Sequence, residues 1–215
     1  ETWDAINKLA PDILRISWER IRDELYKLMT GENPGKGLDL LHKSGLLKHI
    51  LPEVESLSGI AYSAVPSGID VFAHTRAALS LLRKPSPNLA LGTLLHDVGK
   101  AYSRTGDTQE SFKDHERLGA EISEGICRRM RLSNEAASHV VDLVRTHMDF
   151  SRVHEMRESA LLRFLRKSNF DDHLELYRVN CLSGGKDLKT YKYCLKKYKE
   201  YGHEPAPRPL LTGDD

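Results

Sequence analysis

The stretch Ser133-Asn134-Glu135-Ala136-Ala137-Ser138-His139-Val140-Val141-Asp142-Leu143-Val144-Arg145-Thr146-His147 decides the fold class. Its apolar positions Ala136, Val140, Leu143 and Val144 follow steps of four, three and one, and three more residues reach His147. That period belongs to one face of an α-helix, with Ser133 as a helix-opening cap, and not to an alternating strand. It also puts His147 on the buried face. An imidazole there needs a partner, because burying an unsatisfied polar group costs roughly 1–3 kcal/mol. A metal ion is one such partner.

The same spacing runs outward in both directions. Ile13, Ile16, Ile21, Leu25 and Leu28 form one stripe, with Ser17 as a cap within it; Gly31-Glu32-Asn33-Pro34-Gly35 break it, and Leu38, Leu41 and Leu46 resume a second. The small, polar stretch Ser56 to Gly68 reads as a turn between two helical units. Asp70 then caps a helix with Phe72, Ala73, Ala77, Leu79 and Leu81, which places His74 at the edge of its stripe. Leu91, Leu94, Leu95 and Val98 carry His96-Asp97 to a helix end that Gly99 is expected to cap. Asp114 opens a helix bearing His115, Leu118, Ile122 and Ile126. Further helices are expected over Ala160 to Leu165, Leu174 to Leu182 (stopped by Ser183-Gly184-Gly185) and Lys186 to Tyr201, before an extended tail at Pro205, Pro207 and Pro209. The expected class is all-α, without substantial sheet.

Composition narrows the function. With 32 basic and 31 acidic residues among 215, the chain lacks the overall positive field of a dedicated nucleic-acid binder, so any RNA contact must use a local patch. Cys127, Cys181 and Cys194 are too few and unpatterned for a disulfide framework or a thiolate zinc site, and a reducing cytoplasm fits them. No apolar run approaches the roughly 20 residues that span a bilayer, so no membrane partner is expected. The Glu-Thr-Trp start without a Met reads as that of a fragment.

Chemistry is carried by His74, His96, Asp97, His115 and His147. Imidazole and carboxylate donors suit first-row divalent ions, and one carboxylate beside a histidine is able to bridge two ions that the other histidines hold separately. Lys100 reads either as a cation near a helix end or as a phosphate contact. His42, His49, His139, His154, His173 and His203 lack a comparable pattern and read as surface or packing residues.

Two sets of residues resemble known sequences. Glu19-Arg20-Ile21, Gly37-Leu38, Gly45-Leu46-Leu47 and Ile50-Leu51-Pro52-Glu53 resemble the RNA-binding neck of the tRNA nucleotidyltransferase and poly(A) polymerase family. His74-Thr75, Leu94-Leu95-His96-Asp97-Val98-Gly99-Lys100, Asp114-His115-Glu116, Gly119-Ala120-Glu121 and His147-Met148 resemble the HD phosphohydrolase domain that many bacterial members carry after it. Met156-Arg157-Glu158-Ser159, Arg163-Phe164-Leu165 and Pro209 to Asp215 also look like the family's downstream sequence. The resemblance implies a neck over 1–58, an HD domain over 59–185 and a basic helix with a proline-containing tail over 186–215. It implies metal ligands at His74, His96, Asp97, His115 and His147 for a divalent ion (Mn, Ni, Mg, Fe or Zn), with Asp97 and Lys100 in catalysis. The family commonly closes this site with an aspartate where Asn180 stands, and a neutral amide at that position weakens one ion.

The implied chemistry is hydrolysis of phosphate esters of nucleotides or RNA ends. Nucleotide addition is not expected, since nothing in these residues resembles the nucleotidyltransferase head. The alternative is a binding module: a neck and a degenerate HD site that hold tRNA. Arg20, Arg22, Lys27 and Lys36, with Arg15, Lys43 and Lys48, are the candidate phosphate contacts of the neck. The Lys189 to Tyr193 run reads as a solvated amphipathic helix in preference to a base-stacking surface.

Overall fold

Short helices dominate because apolar residues recur at helical spacing while glycine, proline and capping residues interrupt them every ten residues or so. The computed structural model describes residues 2–62, 68–103 and 112–202. Helix α1 (Thr2–Leu9) buries no side chain and leads into a 3-10 turn over Ala10–Arg15. Helix α2 (Trp18–Thr30) buries Ile21, Leu25 and Met29 at steps of four. The single stripe expected from Ile13 to Leu28 is thus split, because the backbone turns extended at Ile16 and Ser17. Ser17 takes the N-cap position but its side chain makes no capping bond. Helix α3 (Pro34–Lys43) and the one-turn helices α4 (Leu47–Ile50) and α5 (Pro52–Glu55) complete the first part.

Helix α6 (Val71–Ser80) begins where Asp70 accepts from the Ala73 amide, as its sequence predicts. Helix α7 (Pro87–Leu95) is buried at every position from Leu89 to Leu95, so it forms the centre of the bundle. A 3-10 turn (Val98–Ala101) follows, then α8 (His115–Arg129) and α9 (Asn134–Thr146), the latter capped by Ser133 through the Ala136 amide. Asp114 precedes α8 with left-handed backbone, φ 59°, and does not cap it through its side chain. A further 3-10 turn (Asp149–Glu155), α10 (Glu158–Leu165), α11 (Phe170–Ser183) and α12 (Lys189–Tyr201) finish the described chain. The expected proline tail lies outside the described residues.

Among the described residues the extended pairing is a single antiparallel bridge, Ala61 to Asp70. The protein is all-α. Ile21, Leu25 and Met29 share one hydrophobic cluster with Leu91, Leu94, Val98, Ile126 and Val140, and α2 packs directly on α7, the helix that ends at His96. A second, aromatic cluster of Phe150, Phe164, Phe170 and Leu174 holds α10, α11 and α12 together around Cys194.

Gly99 does not cap α7. That helix ends at Leu95 with His96 at its C-cap, and Gly99 lies inside the next turn. A Cβ at Gly99 would collide with the His115 carbonyl and stand 2.7 Å from the Gly119 nitrogen. The missing side chain is what lets α8 press against the turn carrying Asp97 and Lys100.

Candidate metal centre

Four helix ends and one turn converge on Asp97. His74 comes from α6, His96 from the C-cap of α7, His115 from the first position of α8 and His147 from the C-cap of α9. All five side chains are buried. Three imidazoles are latched in the same way, each with Nδ1 on the carbonyl three residues earlier. His96 uses Thr93 at 2.7 Å, His115 uses Phe112 at 2.8 Å and His147 uses Val144 at 2.7 Å. Helix C-termini have spare carbonyls, which is why this latch suits His96 and His147. A carbonyl only accepts, so Nδ1 carries the proton and Nε2 presents a lone pair.

These lone pairs meet in two groups. Nε2 of His115 and Nε2 of His147 are 3.3 Å apart and lie 3.6 and 3.7 Å from Asp97 Oδ1. Nε2 of His74 and Nε2 of His96 are also 3.3 Å apart and lie 3.7 and 3.3 Å from Asp97 Oδ2. Within each group the ligand atoms all fall within 4.8 Å of one another, and Asp97 belongs to both. Two nitrogens each about 2.0–2.1 Å from one tetrahedral ion are about 3.3–3.4 Å apart, so the donor set fits a divalent metal.

Electrostatics separates the two groups. In the His115 and His147 group both nitrogens and the Asp97 oxygen are acceptors, with no donor among them. A proton does not relieve this, because burial pulls His115 below its ordinary value and takes His147 down to about 3, with the neighbouring His96 adding to the effect. A cation would. The His74 and His96 group is less frustrated. Nδ1 of His74 makes no close hydrogen bond, with only the Ser183 backbone as a weak partner, so its tautomer is set less firmly than those of the three latched rings. Lys100 Nζ also donates to Asp97 Oδ2 at 2.7 Å. Burial alone would raise the Asp97 carboxyl, but the imidazoles around it and the Lys100 ammonium outweigh it and hold the group well below the usual carboxylate range. His74 is pushed down to about 3 by burial and by His96.

Sequence reasoning missed Tyr62. Its ring stacks on His74 with centroids 4.0 Å apart and planes 13° from parallel, and Lys100 Nζ sits 4.5 Å from its centre. Tyr62 lies in the turn-like segment, where no periodicity singles it out. Asn180 is buried on α11 one turn before Gly184, and a Cβ at Gly184 would stand 3.1 Å from the Tyr62 hydroxyl. The end of α11 therefore lies on the His74 side, but among the described residues no hydrogen bond joins the Asn180 amide to any of the five candidate ligands. Of the remaining histidines, His173 is buried against Asp142 at 3.2 Å and His139 pairs with Asp172 at 3.3 Å, so both tie α9 to α11.

The neck cations divide by surroundings. Arg22 is committed to the Arg131 carbonyl at 2.8 Å and to Asp23. Lys27 is exposed and pairs with Glu24 at 2.8 Å. Lys36 stands exposed beside Arg76 in a shallow polar cleft, and Arg20 edges an apolar cavity of about 350 Å³ lined by Ile13, Leu28 and Leu41.

Comparisons with known proteins fit this arrangement. The family model described as "Probable RNA and SrmB- binding site of polymerase A" matches residues 1–57, and the HD domain model matches residues 71–175. The A-adding tRNA nucleotidyltransferase of Deinococcus radiodurans is 36% identical over 160 residues, covering 69% of this chain and 37% of that protein. The CC-adding tRNA nucleotidyltransferase of Thermus thermophilus is 32% identical over 207 residues, 92% of this chain and 47% of that protein. By these regions the chain belongs to the tRNA nucleotidyltransferase family. A "Multifunctional CCA protein" of Polaromonas naphthalenivorans is 29% identical over 176 residues, 74% of this chain and 41% of its own length. The chain spans less than half the length of these relatives. HD domains typically bind divalent metals, and both groups of candidate ligands lie inside the matched HD region.

Proposed function

We propose that this chain hydrolyses phosphate esters of nucleotides or RNA ends at a two-ion centre, and that its first helices hold RNA, with tRNA the natural candidate given the names of its relatives. The observation that carries the reading is the set of buried acceptors, Asp97 Oδ1 with His115 and His147 Nε2, which lacks any donor. His74 and His96 would hold one ion and His115 and His147 the other, with Asp97 between them; Asn180 is kept as a weak outer member of the His74 side. Bound there, such ions acidify water and offset the charge that builds on phosphoryl oxygens. Lys100 is placed to meet a substrate phosphate by releasing Asp97, and Tyr62 keeps the His74 ring oriented and shields it from water.

The division into a neck over 1–58, an HD domain over 59–185 and a basic helix with its tail over 186–215 is part of this reading, as is a cytoplasmic location. Nucleotide addition, for which the relatives are named, is not assigned to these residues. The test is ring opening of a nucleoside 2′,3′-cyclic phosphate to the monophosphate, and phosphate release from 3′-phosphorylated RNA, after chelation and reloading with manganese or nickel. Turnover that returns with metal and is lost in Asp97→Asn supports the proposal.

A second reading is favoured by one observation, the 2.7 Å ion pair between Lys100 and Asp97. The ammonium already supplies a positive charge to the carboxylate, as a degenerate site would need. Salt-sensitive tRNA binding without hydrolysis of either substrate under any metal would establish that reading instead.

A further inference from the structure

Helix α12 lies beyond both matched regions, and its charges are distributed unevenly. Lys189, Lys192, Lys196 and Lys199 follow steps of three, four and three, which at 3.6 residues per turn confines them to an arc of about 80° along about 15 Å of helix. All four are exposed. The opposite face carries Cys194, Tyr191 and Tyr198, which pack into the aromatic cluster. Tyr193 is turned against His154, its ring centre 4.7 Å away. These three tyrosines are therefore occupied inward, Tyr201 at the helix end is exposed under Lys197 and away from the row, and what the rest of the helix offers to solvent is a row of ammonium groups.

Among the described residues little balances that row. Lys189 and Lys196 make only exposed, long ion pairs, to Asp187 at 3.5 Å and Glu200 at 3.9 Å, of a kind worth little. Lys192 and Lys199 make none among the described residues. Like charges three and four apart on a helix destabilise it, and lysines in the first turn oppose the helix dipole. The chain as a whole carries a net charge of only +1, so this helix, with five lysines and one glutamate, is where cationic charge concentrates. Its self-repulsion is a cost that a linear polyanion would relieve.

We propose that the Lys189, Lys192, Lys196 and Lys199 face is a second RNA contact that grips successive phosphates of the backbone without reading sequence. The proposal rests on the reading of this chain as an RNA binder and adds a site remote in sequence from its first helices. Phosphate contacts of this kind fix register and supply salt-dependent affinity, while tyrosine stacking plays no part.

The experiment measures the affinity of the full chain for a tRNA transcript across a salt series. It compares the parent with a variant combining Lys189→Gln, Lys192→Gln, Lys196→Gln and Lys199→Gln, and with the matching set of four Lys→Arg changes. Glutamine and arginine both suit helices, so far-ultraviolet circular dichroism should be unchanged. Each lost phosphate contact lowers the slope of log affinity against log salt by about 0.7 to 0.9, so the glutamine variant should lose about 3 units of slope and the arginine variant almost none. An unchanged slope in the glutamine variant, with the parent still binding, overturns the α12 contact and leaves the RNA reading intact. Absence of tRNA binding by the parent removes both. Capture of phosphatidylserine vesicles through these lysines, with an unaltered RNA slope, assigns the face to lipid and overturns the proposal.

Discussion

Asp97→Asn tests the centre most directly, because Asp97 is the one residue common to both groups of candidate ligands. Its Oδ1 faces His115 and His147, and its Oδ2 faces His74, His96 and Lys100. Replacing the carboxylate by a neutral amide of the same shape should weaken both ions, whereas His115→Ala should remove one. An ion present at 100 times its dissociation constant stabilises the fold by about 2.7 kcal/mol. Two independent ions would give about 5 kcal/mol to the parent chain, about 2.7 to His115→Ala and close to none to Asp97→Asn. Without metal the substitution has opposing effects. It strands the Lys100 ammonium, whose side chain is 12% exposed, yet it gives the converging nitrogens an amide donor. Breaking a buried ion pair costs about 3–5 kcal/mol, so the partly exposed lysine and the new donor should keep the loss below about 3 kcal/mol. Urea unfolding in chelator and in excess manganese or nickel separates the two effects. If Asp97→Asn retains more than about half of the parent's metal-dependent stabilisation, Asp97 is not the shared ligand and the two-ion scheme fails.

Three further outcomes are expected. Burial, with His96 adding to it, holds His74 and His147 down at about 3, against about 6.5 in an unfolded chain, so below pH 6.5 the unfolded state binds protons that the fold refuses. The metal-free chain should be fully stable in this respect above pH 6.5 and lose up to about 1.4 kcal/mol per pH unit for each histidine as the pH falls toward 3; equal urea midpoints at pH 7.5 and 5 would contradict this. Gly99→Ala should cost about 1–3 kcal/mol or more, because its Cβ meets the backbone of His115 and Gly119 and no flexible side chain gives way; a melting temperature within a degree of the parent would show that α8 is free to retreat. Asn180→Asp should tighten one ion by at least about tenfold by adding a charge on the His74 side, and identical calorimetric titrations of the variant and its parent would place position 180 outside the coordination sphere.

Periodicity disclosed which faces are buried, and in doing so placed His147 inside and His74 at the edge of its stripe, while His96 and His115 were singled out by the motifs around them. It did so because a helix converts spacing directly into direction. What spacing does not encode is which ring nitrogen points inward. That choice is made by the carbonyls of Thr93, Phe112 and Val144, backbone atoms present in every sequence and available only because a helix ends or begins there. Gly99 was misjudged for a related reason: a glycine after a helix suggests a cap, whereas this one answers to the approach of a helix that starts sixteen residues later. Tyr62 had no signal at all, since it shares no periodic run with its partner His74 and is held beside it next to a single bridge.

The latching carbonyls also explain why the two halves of the centre need not behave alike. His115 and His147 are both latched, so their lone pairs are forced together and that half gains most from a cation. His74 is held by a tyrosine face and its tautomer is set less firmly, and Lys100 stands on the same side of Asp97. That half should tolerate losing an ion, and it is the half beside α11, where the resemblance to the family implies an aspartate and Asn180 stands instead. A missing carboxylate is therefore best tolerated on the side where it is missing. The order of loss under chelation should follow, with the ion on the His74 side leaving first. In a titration with diamagnetic zinc, the His115 and His147 ring nitrogens should shift before those of His74 and His96; the reverse order would mean that latching does not set affinity.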